Sequence, residues 1–213
     1  MNVTGLLLAG GKSSRMGRNK ALLEMAEGLN IQNIASQLKR AAGSVLLITN
    51  TPGTYSFLEL PIIEDIYPGR GPLAGLHAGL SAATTEAVIV AACDMPFVTA
   101  EIMKKMFENL EDADAVVPEI DGRVQPLFAV YRKTCLPHLI SCLEDNQLKM
   151  THFLNNIKVA RMSEKDFLQG LKNPEFLPYV FYNMNSPEEY EEAREIEQQL
   201  KRSGLYGVGK FKI

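Results

Sequence analysis

Short apolar runs at Val3 to Leu8, Ser44 to Thr49, Pro61 to Glu64, Ala87 to Ala91 and Ala115 to Pro118 set the rhythm of this chain. Each is rich in Val, Ile and Leu with little polar alternation, the pattern of strands covered on both faces. Between them the apolar period lengthens. Ile31, Ile34, Ala35, Leu38 and Ala42 share one helical face, and Leu73, Leu76, Ala78 and Leu80 crowd another segment. Ile102, Met103, Met106 and Leu110 repeat at helical spacing behind a Thr99 cap. Strand, helix, strand at this interval calls for an α/β fold with a mostly parallel sheet and right-handed crossovers.

Beyond residue 118 the rhythm changes. In "PEIDGRVQPLFAVYR" the Asp121-Gly122 pair sits between two strand-like runs and predicts a hairpin. Helices follow over Lys133 to Glu144 and Lys149 to Asn156, then a short strand near Lys158 to Arg161. "YVFYNMNSPEEYEEAREIEQQLKR" reads as a strand, a turn and a helix opened by Ser186, with Pro187 at its first position and acidic residues in the first turn. With 46% hydrophobic residues among 213, the chain can bury one sizeable core. The expected organisation is one domain over residues 1–202 and a loosely held, glycine-containing tail over 203–213.

A net charge of -3 gives no general affinity for nucleic acid or an anionic membrane, so any cationic site must be local. There is no signal-peptide pattern and no apolar run of membrane-spanning length. The cysteines Cys93, Cys135 and Cys142 are odd in number and form no CxxC pair, which fits buried thiols in a reducing compartment. The expected location is the cytoplasm. His77, His138 and His152 are isolated from one another and share no zinc-ligand spacing.

The local cationic site is in "LLLAGGKSSRMGRNKALL", residues 6–23, where the first strand breaks into small residues threaded with Lys12, Arg15, Arg18 and Lys20. In an open parallel sheet, ligands bind beyond the carboxyl ends of the strands, which is where this loop emerges. Successive small residues expose backbone N–H donors, and Arg and Lys add charge-assisted contacts to an anion. A solvated basic turn is the competing reading. The glycines match neither a dinucleotide fingerprint nor a Walker A loop, because the position five before Gly11 is Leu6.

"LAGGKSSRMGRNKALL" resembles the signature of nucleotidyltransferases that attach a nucleoside monophosphate to a phosphorylated acceptor, and within them the chain most resembles the molybdenum cofactor guanylyltransferases. "EDIYPGRGPLAGL" at 64–76, "ACDMPFV" at 92–98 and "NMNSPEEY" at 183–190 agree, and "GRVQPLFAVYR" at 122–132 agrees more weakly. The likeness spans residues 3 to about 200. It implies a Rossmann-like three-layer α/β/α fold of the nucleotide-diphospho-sugar-transferase kind. It also implies transfer of GMP from GTP to Mo-molybdopterin, with Mg²⁺ as cofactor and hand-off to molybdoenzyme apoproteins or other cofactor-biosynthesis proteins. CTP with molybdopterin, a sugar or polyol phosphate acceptor, and a non-catalytic nucleotide-binding partner are the alternatives.

The resemblance assigns roles residue by residue. Leu8, Ala9 and Gly10 approach the guanine through backbone groups, Gly11 joins them in binding the nucleotide, and Arg15 and Lys20 clamp the triphosphate as catalytic residues. Asp94, in a Cys-Asp-x-Pro segment after the fourth strand, is the metal ligand; a turn cap is its other reading. Asn50 and Asp65, each just past a strand, read base or ribose, or else cap turns. Asn183 and Asn185 support the metal or acceptor, or else simply form the turn before the last helix, and the acceptor itself lies over about 118–165, where Arg123, Gln125, Lys149 and His152 are candidates. One departure is visible: the family's Gly-Lys-Pro-Leu turn is replaced here by "EMAEGLNIQNIASQL".

Overall fold

The computed structural model describes residues 2–10 and 19–205. From the N-terminus the elements are β1 (Thr4–Leu8), β2 (Glu24–Met25), β3 (Gly28–Leu29), α1 (Asn30–Ala41), β4 (Ser44–Ile48), β5 (Ile62–Ile63), α2 (Pro72–Ala82), β6 (Ala87–Ala92) and α3 (Ala100–Glu108). They continue as β7 (Ala115–Ile120), β8 (Arg123–Val124), β9 (Phe128–Arg132), α4 (Leu136–Glu144), α5 (Met150–Leu154), β10 (Val159–Met162), α6 (Glu164–Leu168), α7 (Leu177–Val180) and α8 (Pro187–Arg202).

The main sheet has the order β5-β4-β1-β6-β9-β7-β10. β9 is antiparallel to both neighbours, and the remaining pairs along that order are parallel. β8 folds back antiparallel on β7 through Asp121 and Gly122, whose φ values of 50° and 70° are those of a tight hairpin turn. The chain steps outward from β1 to β4 and β5, then returns to β6 on the other side of β1. That reversal opens a crevice at the carboxyl ends of β1 and β6.

Alternation along the strands separates two apolar layers. Leu7, Val45, Ile89 and Val116 face α1, α3 and α8, while Leu6, Val88, Val90 and Val117 face α2, α4 and α5. The three-layer α/β/α arrangement follows, because each strand carries apolar side chains on both faces. Gly79 lets α2 lie directly on β1: a Cβ there would fall 2.4 Å from Leu6 Cδ1. This close approach directs the α2 N-terminus, with Gly71 (φ 68°) before Pro72, to the crevice edge.

One segment differs from the sequence expectation, and two others take a local form that it did not specify. Residues 179–182, read as a strand, belong to α7 and the turn after it. Leu177, Val180 and Phe181 are all buried, and the Phe181 ring packs 5.9 Å from Phe128 and 5.5 Å from Phe167. One helical turn buries these neighbours on one side, whereas a strand would turn alternate residues outward. The second is residues 24–29, which form a small hairpin pinned by α8: Glu197 Oε2 accepts from Ala26 N at 2.7 Å and Tyr190 Oη donates to Glu24 O at 2.7 Å. The third is at the chain end, where residues 203–205 close α8, with Leu205 N bonding Leu200 O at 3.0 Å over Gly204 (φ 71°). The expectation for 206–213 lies outside the described residues.

Glu197 carries a pH signature. It is 1% exposed and burial raises its carboxyl pKa, with the Ala26 N–H and Lys201 pulling the other way. Above the ordinary glutamate pKa the unfolded chain has released a proton that the folded chain still holds, so stability falls as pH rises towards the folded pKa. Glu197→Gln keeps an acceptor for Ala26 without the charge. Thermal melts across pH should show the variant more stable than wild type at pH 7.5, with the gap closing as pH drops towards about 4.

Candidate active site

Four strand ends converge on the crevice. Ala9 N bonds Ile48 O at 2.9 Å and Cys93 N bonds Leu8 O at 3.1 Å, which levels the ends of β1, β4 and β6. Leu8 and Ala9 are buried and Gly10 is exposed, so the described part of the first loop presents backbone at the rim. Gly11 and Arg15, with Lys12 and Arg18, lie outside the described residues.

The chain re-enters at Asn19, whose Oδ1 accepts from Ala21 N at 3.1 Å and whose Nδ2 donates to the buried Tyr55 hydroxyl at 2.9 Å. This cap starts a short 3₁₀ turn, Lys20–Leu22, and fixes the stem of Lys20. Lys20 Nζ donates to Asn185 Oδ1 at 2.7 Å across 165 positions of sequence. Asn185 is in turn rigid: Ser186 Oγ accepts from Glu189 N at 3.2 Å, and Glu189 Oε2 accepts from the Ser186 and Asn185 N–H groups. That reciprocal cap opens α8. Asn183 Nδ2 bonds back to Phe181 O at 3.0 Å.

Asp94 follows β6 and is half-buried at this edge, its carbonyl accepting from Met184 N at 2.8 Å. Burial raises its carboxyl pKa; the Lys20 ammonium works against that, and Glu189 adds to it. A partly desolvated carboxylate facing one lysine can hold a divalent cation, whose charge would offset its burial. Its hard oxygens are of the kind Mg²⁺ takes from protein when phosphates supply the rest. Burial, with the Asp94 charge adding to it, pushes the adjacent Cys93 thiol up to about 12. It stays protonated and is packing, not a nucleophile.

Asn50 and Asp65 form a two-bond pair. Asn50 Nδ2 donates to Asp65 Oδ2 at 2.8 Å, and Asp65 N donates to Asn50 Oδ1 at 2.9 Å. The pair exists because β4 and β5 run parallel with Ile48 beside Ile63, so the residues two beyond each strand end sit together. Asp65 keeps a second carboxylate oxygen, Oδ1, which a Cβ on Gly75 would approach to 3.7 Å. Arg70 is turned to protein: it bonds Leu143 O at 3.3 Å and Asn146 Oδ1 at 2.6 Å, at the carboxyl end of α4. Of the four candidate acceptor contacts, Arg123 and Gln125 lie on or just after β8 of the β7–β8 hairpin, and Lys149 and His152 belong to α5 and its cap. Sequence reading missed Tyr55 and Asn30 as supports of the site; their signal is spatial and has no local motif.

A mostly parallel sheet whose switch-point edge presents a lysine, a half-buried carboxylate and a paired Asn-Asp fits a nucleotidyltransferase. Residues 5–159 match the MobA-like NTP transferase domain, and the chain belongs to that family. It is 39% identical over 195 residues to the "Probable molybdenum cofactor guanylyltransferase" of Carboxydothermus hydrogenoformans, covering 92% of this chain and 96% of that one. The fold is also that of molybdopterin-guanine dinucleotide biosynthesis protein A from Archaeoglobus fulgidus, with TM-score 0.80, 24% identity and coverage of 92% and 100%. A manganese complex of Rv0371C from Mycobacterium tuberculosis shares the fold at TM-score 0.65 and 16% identity, covering 91% of this chain and 98% of that one. Among the described residues no helix is long and apolar enough to cross a membrane.

Proposed function

We propose that this enzyme transfers GMP from GTP to the terminal phosphate of Mo-molybdopterin, releasing pyrophosphate and forming the guanine dinucleotide cofactor. The observation that carries this reading is the convergence of Lys20–Asn185, Asp94 and Asn50–Asp65 on one sheet edge. Together with the family membership, it supplies a base reader, a triphosphate clamp and a carboxylate in the order a bound nucleotide would meet them.

In the transfer, an oxygen of the acceptor phosphate attacks the α-phosphorus in line. A new P–O bond forms as the bond to the β-phosphate oxygen breaks, and pyrophosphate carries away the electron pair. Positioning and charge neutralisation supply most of the acceleration in such a step. The backbone of Leu8, Ala9, Gly10 and Gly11 lines the nucleotide, and Asp65, held by Asn50, accepts from the guanine edge or ribose hydroxyls. Lys20, oriented by Asn185, and Arg15 neutralise the triphosphate. Asp94 would hold Mg²⁺, which when bound supplies charge to the phosphate oxygens. The acceptor lies over 118–165, with Arg123, Gln125, Lys149 and His152 as candidate contacts. The setting is the cytoplasm, with apo-molybdoenzymes or other cofactor-biosynthesis proteins as recipients.

Incubation with α-labelled GTP, Mg²⁺ and Mo-molybdopterin should give labelled dinucleotide and one pyrophosphate per product. A preference for CTP or another nucleotide, or no product at all, would contradict the reading. For Asp65→Ala we expect the KM for GTP to rise about ten-fold or more while kcat changes less, because a base contact is made in ground and transition states alike. Initial rates against GTP concentration check this.

A further inference from the structure

The usefulness of Asp94 depends on how its backbone is held, and that backbone is tethered from three directions. Two tethers are main chain: Cys93 N to Leu8 O at 3.1 Å, and Met184 N to Asp94 O at 2.8 Å. The third comes from a side chain, as Asn30 Nδ2 donates to the Cys93 carbonyl at 2.7 Å. Asn30 opens α1 and is 0% exposed, and its Oδ1 is buried without a hydrogen-bond partner. An amide that leaves an acceptor unsatisfied in the interior is a poor choice for stability, where an apolar side chain of the same branched shape would carry no such penalty. Its one bond lands on the residue next to Asp94.

The same helix repeats the device two turns on. Gln37, 7% exposed, accepts from Ala100 N at 2.9 Å through Oε1, at the first residue of α3. Two buried amides of α1 thus hold both ends of the segment 93–100 that carries Asp94 from β6 to α3. Backbone placed this way gives a side chain little latitude, and small displacements of a reacting constellation are costly in rate.

We propose that Asn30 is a positioning residue for nucleotidyl transfer, holding the Cys93 carbonyl so that β6 delivers the Asp94 carboxylate in a fixed direction. This rests on Asp94 being the cation-holding carboxylate. The test compares wild type, Asn30→Leu and Asp94→Asn as full chains, with kcat, the KM for GTP, Mn²⁺ affinity in the presence of GTP by electron paramagnetic resonance, and melting temperature. For Asn30→Leu the expected result is a kcat about ten-fold lower and Mn²⁺ binding weaker by a similar factor, with the KM for GTP within about two-fold.

If Asn30→Leu keeps wild-type kcat and Mn²⁺ affinity while Asp94→Asn has lost both, Asn30 has no positioning role and the reading of Asp94 stands. An Asp94→Asn variant that keeps both overturns the reading of Asp94 and this proposal with it. A lowered melting temperature with unchanged Mn²⁺ affinity of the folded protein marks a purely structural asparagine and also overturns the proposal. Should the leucine variant fail to fold, Asn30→Ala, which removes the same bond without adding bulk, is judged by the same measurements.

Discussion

Replacing Asp94 by asparagine is expected to lower kcat by about 10³-fold or more, leaving the fold intact. The amide has the shape of the carboxylate but not its charge, and it cannot hold a divalent cation against phosphate oxygens. Loss of one preorganised charge contact in such a site costs on the order of 10²–10³ in rate, and here the cation would go with it. The same substitution should not weaken the protein. Because burial raises the Asp94 pKa, the ionised carboxylate opposes folding at neutral pH. Asp94→Asn should therefore melt at or above the wild-type temperature at pH 7.5, and the difference should shrink as pH falls towards the ordinary aspartate value. Turnover and melting temperature, measured on one preparation, check both halves. A less active but no less stable variant is the mark of a residue placed for chemistry.

Lys20→Met should lower kcat/KM for GTP by about 10²–10³-fold, since it removes an ammonium from the triphosphate and leaves Asn185 Oδ1 without its donor. It should also change the pH profile. Lys20 lowers the pKa of Asp94, so without it that pKa rises further. A group that works ionised then titrates at higher pH, and the acid limb of kcat/KM should move upward. Initial rates from pH 5 to 8 measure the shift. An unchanged limb would mean that Asp94 is not the group titrating.

Much of this was legible in the chain because the governing signals are local. The Val, Ile and Leu runs mark strands, Asp121-Gly122 marks the hairpin, and Thr99 and Ser186 mark helix starts with side-chain caps that the structure contains. Asp94 and Lys20 could be named because "ACDMPFV" and "LAGGKSSRMGRNKALL" resemble the family's motifs; its place after a strand alone left Asp94 open to reading as a turn cap. What stayed hidden is what the fold assembles from distant sequence. Asn185 meets Lys20 because α8 returns across the sheet to the loop that follows β1, and nothing near either residue announces it. Asn50 and Asp65 were readable one at a time, but their pairing depends on the parallel register of β4 and β5. Residues 24–29 carry a departure from the family's usual turn, and their hairpin is set by Glu197 and Tyr190 on α8. The α7 segment looked like a strand because Val, Phe and Tyr favour one, and aromatic packing on Phe128 and Phe167 overrode that preference.

The most direct measurement is a crystal structure with a non-hydrolysable GTP analogue and Mn²⁺, in which the metal is located by its anomalous signal. The expected result is a manganese peak bonded to the Asp94 carboxylate and phosphate oxygens, with Lys20 on the triphosphate and the base against Asn50 and Asp65. A nucleotide bound away from the carboxyl ends of β1 and β6, or a metal with no contact to Asp94, would contradict it.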